Sequence, residues 1–181
     1  MHYRSLTAVA VILATSMAVF AEAPQPYAGM QNRPIKALSE QQTSDLKSGR
    51  GMGLALAAEL NGYPGPKHVL ELSDQLGLSV PQRTSVQRLF DAMKAEAIPL
   101  GEQLLVKEAD LDRQFAARAV TPASLKTATS AIGEVQSKLR EAHLRYHLVT
   151  AALLTPEQMR RYGELRGYSK DAGEHRQHHS N

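Results

Sequence analysis

The apolar positions form one long, regular pattern and several interrupted ones. Leu125, Ala128, Ile132, Val135, Leu139, Ala142, Tyr146, Val149 and Leu153 follow in alternating steps of three and four. That rhythm draws one stripe along a helix and predicts lengthwise packing on another helix. Upstream, Val86, Phe90, Met93, Ala97, Leu100, Leu104, Leu111 and Phe115 recur three, four or seven apart, predicting a helix over 79–119. Pro99 sits inside it, lacks a backbone donor and crowds the preceding turn, so a kink or break is expected near Glu96–Pro99. The short connection at Val120–Thr121 makes the two helices an antiparallel pair. Shorter helices are expected over 54–60, 67–75 and 156–165, separated by Gly- and Pro-rich stretches.

The ends read differently. Arg4 precedes a largely apolar run from Leu6 to Phe20, followed by Ala21 at a small-residue cleavage position. This is the form of a secretory signal peptide over residues 1–21, too short for a membrane span of roughly 20 apolar residues. Residues 22–36, with Pro24, Pro26, Gly29 and Pro34, are expected to be an extended or disordered lead-in. Residues 37–75 carry the short helices and Gly/Pro-rich loops, 76–167 the long-helix domain, and 168–181 a disordered, His-rich tail. In a bacterium, an exported protein of this kind belongs in the periplasm, freed by signal cleavage or, as the alternative, held by an uncleaved N-terminal anchor.

Composition narrows the class. The 181 residues include no Cys, no Trp, three Phe and six Tyr, so the core is aliphatic, as suits packed helices. Without Cys there are no disulfides, thiolate metal sites or cysteine nucleophiles. There are 21 basic and 18 acidic residues; loss of Arg4 with the signal leaves 20 against 18, a net +2. No Lys/Arg-rich run appears, which argues against a nucleic-acid partner. The Gly49-Arg50-Gly51-Met52-Gly53 stretch has neither a preceding strand nor a Gly-Lys-Ser/Thr ending, so it reads as a hinge and not a phosphate loop. No nucleophile-elbow, zincin or paired-carboxylate pattern is present, and the chain is read as a non-enzyme.

One short motif recurs: Leu38-Ser39-Glu40-Gln41-Gln42, Leu78-Ser79-Val80-Pro81-Gln82 and Leu154-Thr155-Pro156-Glu157-Gln158. In each, the hydroxyl can cap a helix, the Gln three residues on can close a capping box, and the preceding Leu can act as a staple. Pro156 falls at the first helical position, where its missing donor costs nothing. Singly these are ordinary helix starts. Together, Gly77-Leu78-Ser79 with Gln82, Ala142-His143, and Leu154-Thr155-Pro156-Glu157-Gln158 resemble the LTxxQ motifs of the Spy/CpxP family of periplasmic stress proteins. The copy at 78–82 departs from that pattern with Ser for Thr, and the resemblance covers about residues 76–167.

That resemblance implies an all-α fold: a bent long-helix hairpin with short flanking helices and LTxxQ-type capped starts, paired into an antiparallel homodimer with a concave face. It implies one of three functions. Some relatives are ATP-independent chaperones that bind unfolded or misfolded proteins. Some inhibit an envelope sensor kinase, and some bind or sense heavy metals, at times through a membrane anchor. The first is the expected function here.

Two histidine clusters carry the metal alternative, with zinc, copper, nickel or cobalt as the ion; no cofactor is required for the chaperone reading. His143 and His147 are four apart, on one side of a helix and on the flank of the apolar stripe. Two imidazoles are half a site, so Glu141, Glu164, His68 or a second subunit would have to add ligands. Their plainer reading is as flanking polar residues of a helix pair. His175, His178 and His179 could bind metal without any fold, or be a solvated tail. Finally, Met93, Ile98, Leu100, Leu104 and Leu105 exceed what one stripe needs. They are left for a dimer partner or client, or else pack on residues 38–75.

Overall fold

The structure is a computed structural model, and it describes residues 25–168. The signal-peptide reading of residues 1–21, and His175, His178 and His179, lie outside the described residues. Among the described residues the fold is all-α, with no strand. A short 3₁₀ helix at Met30–Asn32 leads to α1 (Glu40–Lys47), α2 (Leu56–Glu59), α3 (Pro66–Glu71), α4 (Val80–Ala116), α5 (Pro122–Ala151) and α6 (Pro156–Arg166). No helix among these residues is long and apolar enough to cross a membrane.

Helices α4 and α5 dominate. Gln82 near the start of α4 meets Leu153 just beyond α5, and Glu96 meets Arg145, so α5 runs back along α4. Ala97, Leu104 and Leu105 of α4 close on Ile132, Val135 and Leu139 of α5, with Leu46 of α1 completing the cluster. Gly101 lets α1 approach: a Cβ there would collide with the Leu46 carbonyl oxygen. A second cluster lies where the helix pair opens. It joins Val69, Leu76, Leu78, Val86, Leu154 and Tyr162.

The helix starts are built as the sequence suggests. Ser39, Ser79 and Thr155 each cap a helix and each close a capping box with Gln42, Gln82 and Gln158. Thr121 does the same with Ser124. Two of these boxes also meet. The Gln82 amide donates to Leu153 O at 3.0 Å and to Gln158 Oε1 at 2.9 Å. The Gln158 amide donates to Leu76 O at 3.4 Å and to Gln82 Oε1 at 3.2 Å. Each Gln therefore caps its own helix and ties it to the other. Leu78 and Leu154, the residues before the caps, are both buried in the second cluster.

One expectation is corrected and two open alternatives are narrowed. Helix α4 is continuous from Val80 to Ala116, with no break at Pro99. Ala95 and Pro99 both face solvent, where water can take the carbonyl that the proline leaves without a donor. Residues 25–36, expected in the extended lead-in, form turns around the 3₁₀ helix instead. Ile35 and Leu38 anchor that segment on the main cluster, which gives the chain a reason to fold back. Of the two readings of the apolar residues near Pro99, internal packing is the one the structure supports. Met93, Leu104 and Leu105 are buried, Leu100 packs on the main cluster, and Ile98 lies beside Gly49.

Candidate functional site

The site begins with a shift along α5. Ile132, Val135, Leu139 and Ala142 are buried as the heptad pattern requires, but the next buried positions are His143, His147 and Thr150. Val149, expected on the stripe, is 43% exposed. The reading of His143 and His147 as flanking surface residues is therefore corrected. His143 is only 2% exposed. The physical cause is the segment 49–66, whose loops and α2 cover this side of α5 and bring Gly51 and Gly65 against the two rings. A Cβ on Gly65 would sit 2.7 Å from His147 Nε2, so only glycine permits that approach.

Around them lies a polar network that sequence reasoning missed. Glu59 is buried, and its carboxylate accepts from Tyr162 Oη at 2.5 Å, Tyr168 Oη at 3.2 Å and the Gly65 amide at 3.3 Å. Arg166 Nε stands 3.5 Å from Glu59 Oε1, and His147 Nδ1 stands 3.7 Å from Oε2. The closest partner of that His147 nitrogen is Tyr63 O, at 2.7 Å. A carbonyl can only accept, so Nδ1 carries the proton, and in the neutral ring Nε2 is left as an acceptor. Burial, reinforced by the Glu59 carboxylate, pushes the Tyr162 phenol far above its usual range, so it remains a donor. Glu59 thus fastens α6 and its C-terminal turn onto α2. Its one signal in the sequence was a lone acid inside the apolar run Leu54–Leu60.

His143 contrasts with His147. Its Nε2 is buried with no hydrogen-bond partner. Burial, and secondarily the charge of His147, hold its pKa below the ordinary histidine value, so the ring is neutral near neutral pH. Both imidazoles line a cavity of about 580 Å³, with Glu59, His68, Met52 and Met93 also on its walls.

The residues named as further metal ligands are placed apart from the two rings or are already paired. His68 lines the same cavity, but its Nδ1 pairs with Glu71 at 2.8 Å. Glu141 faces outward beside Arg145, and Glu164 pairs with Arg160 and Arg161. Among the described residues, no group of three or more His, Asp or Glu is placed to hold a metal ion. No protein-family model, no curated protein and no solved structure matches the chain.

Proposed function

We propose that the protein is a periplasmic, ATP-independent chaperone-like stress protein that binds unfolded or damaged envelope proteins. The architecture inferred with it is the bent helical hairpin with LTxxQ-type caps. The observation that carries the reading is the apolar surface on the long helices. Val80, Val106, Phe115 and Leu148 are each more than half exposed on α4 and α5, with charged residues between them. Exposed apolar groups among charges offer an unfolded chain hydrophobic contact and weak electrostatic attraction, and no nucleotide is needed for either. The test is suppression of aggregation of an unrelated reduced or heated client by chelated protein. Wild type is expected to suppress it, and Val106→Lys combined with Phe115→Lys to suppress it less. Absence of any suppression by chelated wild type overturns the reading.

A second reading, heavy-metal binding or sensing in the envelope, is favoured by one observation. His147 donates Nδ1–H to a backbone carbonyl, the arrangement that orients a metal-binding imidazole, and His143 shares its cavity. Calorimetric titration of zinc, copper and nickel into chelated protein tests it. Saturable binding tighter than about micromolar, lost in His143→Ala combined with His147→Ala, would favour this reading. Binding that survives that pair of changes would place the metal on other ligands, His68 or the His175, His178 and His179 cluster.

A further inference from the structure

The cavity between the Gly-rich loop, α3 and the facing sides of α4 and α5 has walls of two kinds. Met52, Leu56, Phe90, Met93 and Pro66 make much of its lining apolar. At about 580 Å³ it falls within the range of small-molecule pockets, about 300–1,000 Å³. Its polar groups divide by whether they are already matched. Asp45 accepts from Arg50 Nη1 at 2.8 Å and from Gln41 at 2.8 Å. Glu59 is occupied by Tyr162, Tyr168 and the Gly65 amide. Both acids on the walls are therefore satisfied from within the protein.

The cationic and donor side is not. Among the described residues, Lys94 has no carboxylate within ion-pair distance; its ammonium stands 5.8 Å from the centre of the Phe90 ring. Lys67 reaches only Glu71, at 3.6 Å and largely in solvent. His143 keeps a buried ring nitrogen with no partner. The uncompensated groups thus favour negative charge, next to an apolar wall.

We propose that this cavity binds a small amphipathic acid, its carboxylate toward Lys94 and His143 and its apolar body against Phe90, Met93 and Leu56. The charge pairs with a cation that has none, the carboxylate meets the Nδ1–Cε1 edge of the His143 ring that Gly51 faces, and the body covers apolar surface. Gly51 is the gate to His143. A Cβ there would lie 3.6 Å from His143 Nδ1, in ordinary contact, and its backbone is not left-handed, so a larger side chain would extend from there toward the ring. This site is separate from the exposed apolar groups that carry the chaperone reading.

The experiment is calorimetric titration of the chelated full chain with decanoate, and with decanol as the uncharged counterpart. Saturable decanoate binding at one per chain is expected, with decanol markedly weaker. Lys94→Met should weaken decanoate about tenfold or more, the loss of one charged contact. Gly51→Leu should abolish binding, and Lys138→Met, on an exposed pair with Glu134, should leave it unchanged. If Gly51→Leu fails to fold, as circular dichroism would show, Lys94→Met decides. Absence of saturable decanoate binding, equal affinity for decanol, or wild-type affinity in Lys94→Met overturns the proposal. Client aggregation is measured on the same variants. Lost decanoate binding with intact suppression separates the two sites, and failure of suppression in wild type leaves the cavity result standing.

Discussion

Two neighbouring stretches of α5 bury opposite kinds of residue. Between Ile132 and Ala142 the buried side chains are Ile132, Val135, Leu139 and Ala142, set against α4 and α1. Between His143 and Thr150 they are His143, His147 and Thr150, while Leu148 and Val149 turn outward. The helix is continuous through both, so backbone geometry is not the cause. The cover differs. The first stretch meets apolar side chains of other helices; the second also meets loop backbone and a buried carboxylate, which only polar side chains can satisfy. A heptad pattern foretells the buried face where one helix packs on helices. A third layer that brings a loop carbonyl and a buried carboxylate can move that face round.

The largest effect should come from the apolar stretch. Leu139→Ala removes a buried side chain among Ile132, Val135 and Leu104, and should cost about 3 kcal/mol in urea unfolding. Gly101→Ala should cost about 2 kcal/mol despite the better helix former, because the methyl group meets the Leu46 carbonyl. Equal or greater stability in that variant would mean that α1 does not dock there.

The polar stretch should respond to pH where the apolar one does not. Burial lowers the His143 pKa, so below its ordinary value near 6.5 the unfolded chain takes up a proton that the folded chain refuses. Stability should be full above pH 6.5 and fall as pH drops toward the lowered value, by at most about 1.4 kcal/mol per unit. His143→Met should flatten that slope, as denaturant midpoints between pH 7.5 and 5 would reveal. Tyr162→Phe removes the donor to Glu59 and should cost about 1 kcal/mol, with α6 the first element to lose amide protection in hydrogen exchange. The smallest change belongs to the outward residue. Val149→Ser should alter stability by less than about 0.5 kcal/mol; a core-sized loss would restore the original stripe.

Much of the scaffold was legible in the sequence. The long helices, the turn between them, and the Ser79, Thr155 and Thr121 caps follow from periodicity and from residues acting within four positions of one another. The site was legible in its members but not in its arrangement. His143 and His147 stood out by spacing, yet their burial depends on a segment some 80 residues away. Glu59 meeting Tyr162, and Gln82 meeting Gln158, span 103 and 76 residues. Local hydrogen bonding and apolar rhythm are written into neighbouring residues, so the sequence by itself determined the helices and their caps. Which polar groups share one buried space depends on how those helices stack, and only the tertiary structure decided that.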